Sequence, residues 1–198
     1  IKSKIDLSFE VAVSLMFLAL KNNDRLGLGI FTDKLEKFIP SKKGKKQVFR
    51  IIKELIEYKP QSKKTDILKS LSTLENKLKR KSVIYVISDF LSDSYEKPLK
   101  ILKLHHQVIL LNISDIREKE MPKIGYAQIE DVETGEQILI NTSDKNFQEQ
   151  YTKTISEKIN INQQSMKKIG IDMINLTNEE SFEITINRYF RSKWKMRN

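Results

Sequence analysis

Asp89 is the residue whose surroundings best suit ligand chemistry. It follows the apolar, β-rich run Val83-Ile84-Tyr85-Val86-Ile87 and Ser88. Open α/β sheets set their sites at the carboxyl ends of strands, and a carboxylate there can hold a divalent cation directly or through water. Thr65 opens a helical segment marked by Ile67, Leu68, Leu71, Leu74 and Leu78, and would bring a hydroxyl to the same rim. The plainer role for both is capping, with Asp89 serving the helix that follows and Thr65 its own.

Other chemistry has less to stand on. Phosphoryl transfer would need Asp89 as nucleophile or Mg²⁺ ligand and Asp93 as its second carboxylate. Their spacing, with Phe90-Leu91 after the first acid, does not fit an acid pair of the haloacid dehalogenase type. His105-His106 close a helical segment, where imidazoles meet free carbonyls, and two histidines in the whole chain make a histidine metal site a poor fit. Asp115, Arg117 and Glu118 follow another strand end and read as a structural network. Tyr189, Phe190 and Trp194 among Arg188, Arg191 and Lys193 could stack on and neutralise nucleic acid, or dock a last helix on the sheet. There is no Walker phosphate loop, no Gly-x-Gly-x-x-Gly, no Gly-x-Ser-x-Gly and no nucleophile paired with a base. The expectation is therefore a non-catalytic protein.

The elements that must position these residues follow from periodicity. A first helix is expected from about Phe9 to Lys21, capped by Ser8 or Asp6, with residues 11–20 apolar except Ser14 and hence buried. A strand follows at residues 26–31, where Gly27 and Gly29 bare one face, then a short edge strand ending at Pro40. Gly44 precedes a helix carrying Val48, Ile51, Ile52, Leu55 and Ile56. Beyond residues 83–87, a helix from about Tyr95 to Leu104 leads to a second apolar run, residues 108–113, which is the βαβ pattern of a parallel sheet. Residues 126–141 read as an antiparallel hairpin insertion. A long helix with Phe147, Tyr151, Ile155 and Ile159, a strand at residues 171–176 and a helix from about Asn178 complete the chain. The fold class is α/β: a mostly parallel sheet, containing the segments at 26–31, 83–87, 108–113 and 171–176, with helices on both faces.

Composition bounds the partners. With 198 residues and 39% apolar content, the chain can bury a full core. The absence of cysteine excludes disulfides and fits a reducing, cytoplasmic setting. No segment reaches the roughly 20 apolar residues of a membrane span. The net charge of +10, from 36 Lys and Arg against 26 Asp and Glu, raises an anionic partner, including nucleic acid. It is mostly dispersed lysine, which reads as solvated surface.

The ordered series Asp24-Arg25-Leu26-Gly27-Leu28, Lys63-Lys64-Thr65-Asp66, Val86-Ile87-Ser88-Asp89-Phe90, Ser114-Asp115-Ile116-Arg117-Glu118, Pro122-Lys123-Ile124-Gly125, Asp131-Val132-Glu133-Thr134-Gly135 and Gly170-Ile171-Asp172 spans nearly the whole chain. It resembles the von Willebrand factor A fold and, more narrowly, the bacterial domain-of-unknown-function 58 family. The resemblance implies one von Willebrand A-like domain over residues 1–198 with a metal-ion-dependent adhesion site. Thr65 and Asp89 are its metal residues, for Mg²⁺ or Mn²⁺, and an Asp-x-Ser-x-Ser loop is expected before Ile1. A partner carboxylate would complete the coordination, and the implied role is an adaptor for a MoxR-type AAA+ ATPase. The strand carrying that loop would be central, between residues 26–31 and 83–87, so metal binding by residues 1–198 alone is expected to be weak or absent. Without that strand two rows of backbone groups face each other about 9 to 10 Å apart, twice the inter-strand spacing. Upstream residues or another chain would fill that gap, or the two strands would close up and pair.

Overall fold

The computed structural model describes residues 3–90, 95–115, 123–130, 137–179 and 181–195. The first helix, α1 (Lys4–Lys21), starts earlier than its apolar run suggests. Ser3 is the N-cap: its Oγ accepts from the Asp6 N–H, and the Asp6 carboxylate accepts from the Ser3 N–H. This reciprocal pair satisfies two of the donors that a helix start leaves free. Neither Asp6 nor Ser8 is the cap, and the Ser8 hydroxyl instead donates to the Lys4 carbonyl.

Next come β1 (Leu26–Phe31) and β2 (Leu35–Lys42), which pair antiparallel. Helix α2 (Lys45–Glu57) packs against them, and the buried Gln47 side chain fixes it there by donating 3.0 Å bonds to the Leu26 and Pro40 carbonyls. Then follow α3 (Ile67–Lys77), β3 (Val83–Ser88), α4 (Glu96–His105) and β4 (Gln107–Ser114). Among the described residues the hairpin strands β5 (Tyr126–Glu130) and β6 (Gln137–Asn141) pair only with each other, and their turn at 131–136 lies outside those residues. Helix α5 (Lys145–Lys168), β7 (Asp172–Thr177) and α6 (Phe182–Lys195) end the chain.

The expected α/β class holds in its coarse form. β3, β4 and β7 form a parallel sheet with β4 in the middle, as the intervening helices require. The fourth expected member departs: among the described residues β1 pairs as a strand with β2 alone. β4, paired on both sides, is buried from Val108 to Ser114. β3 is equally apolar yet paired on one side only; Val86 is its one fully buried residue and Val83 is 52% exposed.

Three apolar clusters hold the elements. One joins α3 and α4 to Val86, Val108 and Leu110, with Phe31 of β1 and Ile84 packed on it. The second joins Leu7 and Val11 of α1 to Ile109, Leu111, Ile174 and α6, with Tyr85 and Ile87 against it. The third joins Met16 of α1 to Ile39, Val48 and Ile51, with Leu26 and Leu28 against it. α1 therefore packs on both sheets. It is less buried than an all-apolar helix should be: Phe17 is 50% and Leu18 40% exposed.

Candidate functional site

The parallel sheet delivers Asp89 to its carboxyl-end rim, just beyond Ser88. The chain turns there with Phe90 at φ +49°, a conformation uncommon for a bulky residue. Its ring is buried and lies 5.3 Å, centroid to centroid, from that of Tyr95. The Phe90 N–H donates to Ser88 Oγ at 3.2 Å. Burying the ring anchors the turn, so Asp89 stands on a fixed base while its side chain keeps 37% exposure. Asp89 Oδ2 accepts from Lys4 Nζ at 3.1 Å. It is not the N-cap of the next helix, which is Tyr95, with no side-chain capping bond.

Thr65 is exposed in the loop before α3. It is not the cap either: Asp66 is, its Oδ1 accepting from the Lys69 N–H at 2.9 Å. The Asp66 N–H donates to the Thr32 carbonyl at 2.9 Å, so the start of α3 is held to the end of β1. Among the described residues no hydrogen bond joins Thr65 to Asp89, and no three His, Cys, Asp or Glu side chains converge on a point that could hold a metal ion. Mg²⁺ asks for near-octahedral oxygen coordination. One exposed hydroxyl and one carboxylate already matched by an ammonium do not fit it on their own.

Beside Thr32 lies a carboxylate that periodicity did not single out. Glu36 of β2 accepts from the Thr32 hydroxyl, the Tyr58 hydroxyl and, at 3.1 Å, the Gln61 N–H. The Thr32 bond first and the Tyr58 bond next hold its carboxyl below the usual glutamate range. Tyr58 is pushed up to about 12, by desolvation first and by its bond to Glu36 next. The cluster ties the β1–β2 turn to the exit of α2.

A polar row also crosses the parallel sheet beside Asp89: Ser88 is in register with Asn112, and Asn112 with Asn175. Asn112 Nδ2 donates to Asn175 Oδ1 at 3.0 Å, while the buried Asn112 Oδ1 accepts no bond from the described residues. These residues sit inside apolar runs, so strand pattern alone concealed them.

The remaining candidates resolve structurally or fall elsewhere. His106 is buried, its Nδ1 accepts from the Ser82 N–H at 3.2 Å, and its Nε2 faces Glu75 Oε2 at 3.4 Å. His105 Nδ1 lies 2.8 Å from Glu75 Oε1, so the pair pins α4 to α3 rather than meeting only helix-end carbonyls. Asp115 is buried; Asp93, Arg117 and Glu118 lie outside the described residues. The Tyr189 hydroxyl donates to Asp172 Oδ2 at 2.7 Å and its ring packs on the core, while Arg188 and Arg191 are exposed. The side chains of Phe190, Lys193 and Trp194 lie outside the described residues. Among the described residues no helix is long and apolar enough to cross a membrane.

Comparison with known proteins places this geometry in context. The model of a family described as "Protein of unknown function DUF58" matches residues 1–160. Uncharacterized protein Mb1516 of Mycobacterium bovis and uncharacterized protein Rv1480 of Mycobacterium tuberculosis are each 24% identical to the chain over 135 residues, covering 67% of it and 43% of the relative. The chain thus spans under half the length of these relatives. Uncharacterized protein MAV169 of Mycobacterium avium is 31% identical over 71 residues, 35% of this chain and 42% of that protein. The crystal structure of conserved hypothetical protein BatB from Bacteroides thetaiotaomicron superposes with a TM-score of 0.55 at 15% identity, covering 96% of this chain and 88% of that one. At that identity the likeness is one of fold.

Proposed function

We propose that this chain, which belongs to the DUF58 family, is a non-catalytic, cytoplasmic protein-interaction module of von Willebrand A type that serves as adaptor for a MoxR-type AAA+ ATPase. The observation that carries the reading is the placement of Asp89. A part-exposed carboxylate stands on a turn at the carboxyl end of a parallel strand, and one of its partners is the part-exposed Lys4. A pair of this kind contributes little to folding, so replacing Lys4 by a partner's group at this contact costs little. Thr32, Asp33 and Thr65, at the end of β1 and the start of α3, supply further polar groups for such a contact. An Mg²⁺ or Mn²⁺ ion at Thr65 and Asp89 belongs to this reading only where other segments add oxygen ligands and Lys4 is displaced.

The test is equilibrium binding of the purified full-length protein to the MoxR-type ATPase of the same genome. We expect saturable binding that Asp89→Ala weakens tenfold or more, about 1.4 kcal/mol. No binding, or binding indifferent to Asp89→Ala and to Thr65→Ala, would sink the proposal.

A further inference from the structure

Helix α2 keeps one face on the protein and turns the other to solvent. Gln47, Val48 and Ile51 are buried, and Ile52 and Leu55 pack with them against Met16 of α1 and Ile39 of β2. The opposite face carries Phe49, 63% exposed, and Ile56, 68% exposed. They are two helical turns apart in sequence and so share one stripe. Lys45, Lys46, Arg50 and Lys53 surround that stripe and are exposed, and Lys42 and Lys43 lead into it from the end of β2. The acids of the helix are already matched: Glu54 Oε1 lies 2.7 Å from Lys37 Nζ, and Glu57 Oε1 lies 3.8 Å from Lys53 Nζ. Lys42, Lys43, Lys45, Lys46 and Arg50 pair with no acid among the described residues. Single exposed apolar residues are ordinary, but here two share a stripe among unmatched cations.

We propose that this face of α2 docks on the anionic surface of a lipid bilayer. Phe49 and Ile56 enter the boundary between headgroups and acyl chains, while the lysine and arginine heads stay at the phosphates on flexible stems. Two apolar side chains are too few to centre a stable protein interface, which buries about 800 Å² on each side. Single-stranded nucleic acid is held by aromatic rings on which successive bases stack, and here the second apolar group is Ile56. A headgroup layer needs neither a shaped partner nor stacking, and it attracts cations gathered at one surface. The fold fixes that surface, because the buried Gln47 ties the helix to the Leu26 and Pro40 carbonyls. It is also separate from the Asp89 rim. β2 runs antiparallel to β1, with Leu35 opposite Phe31 and Lys42 opposite Leu26, so the start of α2 lies at the other end of β1 from Thr32. Docking there does not depend on what Asp89 binds.

Co-sedimentation of residues 1–198 with vesicles tests this. At low salt the chain should bind vesicles of phosphatidylcholine and phosphatidylglycerol in equal parts, and should not bind vesicles of phosphatidylcholine alone. Lys45→Gln, Lys46→Gln and Arg50→Gln together should weaken binding about a hundredfold, at about fivefold for each charge. Phe49→Ser with Ile56→Ser should weaken it about tenfold or more. These positions are all exposed, so the thermal midpoints should stay close to that of the natural chain. Lys79→Gln, Arg80→Gln and Lys81→Gln remove the same charge from another exposed segment and should weaken binding less than about threefold. No binding at low salt would overturn the proposal, and so would equal losses from the two triple variants, which would make net charge the cause. Binding indifferent to Phe49→Ser with Ile56→Ser would overturn it too, and tighter binding to duplex RNA in that case would mark a nucleic-acid surface.

Discussion

Lys4 Nζ and Asp89 Oδ2, 85 positions apart in the chain, are 3.1 Å apart in space, which puts the start of α1 beside the carboxyl end of β3. With side-chain exposures of 32% and 37%, the pair is open to solvent and to salt. Lys4→Met and Asp89→Asn should each destabilise residues 1–198 by only about 0.2–1 kcal/mol in urea titrations, and 1 M salt should erase most of the difference. A loss above about 2 kcal/mol would mean that the pair is structural and not available for exchange.

Glu36 gives the β1–β2 unit an acid dependence. Its bonds to Thr32 and Tyr58 hold the folded-state value below the ordinary one. Its contribution is therefore full above the unfolded value and is lost as pH falls through the folded one. The stability gap between the natural chain and Glu36→Gln should be constant near neutral pH and shrink below about pH 4.3, the ordinary glutamate value. Urea denaturation across that range measures it, and a gap that widens with acid would contradict the assignment.

The buried His106 should matter through hydrogen bonding. His106→Leu keeps the bulk but strands the Ser82 N–H and the facing Glu75 oxygen. We expect a cost of about 1–3 kcal/mol, partly relieved in the double variant with Glu75→Leu. An exposed His105→Ala should cost less than half as much by the same denaturation assay.

Glycine positions in β1 rank by what their added methyl would meet. At Gly27 a Cβ would lie 2.9 Å from the Ile39 carbonyl oxygen and 3.1 Å from the Ser41 nitrogen, both backbone atoms of the paired strand. At Gly29 the nearest atom is the Leu35 Cδ1 at 3.3 Å, which can turn away. Gly27→Ala should therefore cost about 1–3 kcal/mol and Gly29→Ala clearly less; the reverse order in thermal or chemical unfolding would contradict the β1–β2 register.

Much of this architecture was legible in the chain, and the exceptions have physical causes. The apolar runs at 83–87 and 108–113 became parallel strands because a helix must connect them. Residues 26–31 have the same apolar character, but the turn at Thr32-Asp33-Lys34 commits one edge of that strand to β2, and pattern cannot reveal that, among the described residues, no strand pairs with the other edge. Asp89 follows a strand end as expected, whereas Thr65 lies in the loop before α3 rather than opening that helix. Their hydrogen-bond partners were not legible, because Asp66 competes for the helix cap and Lys4 reaches Asp89 from a distant part of the sequence. Glu36, Asn112 and Asn175 left no periodic signal, since each is a polar residue whose partner is distant or in a neighbouring element.

The most direct test of the account is backbone amide exchange at β1 and β3. Residues 1–198 alone should exchange the unpaired amides of Leu26–Phe31 and Val83–Ser88 readily, while those of β4, bonded on both sides, stay protected. Equal protection of β1, β3 and β4 would contradict the strand pairing, in which β4 is bonded on both sides and β1 and β3 on one.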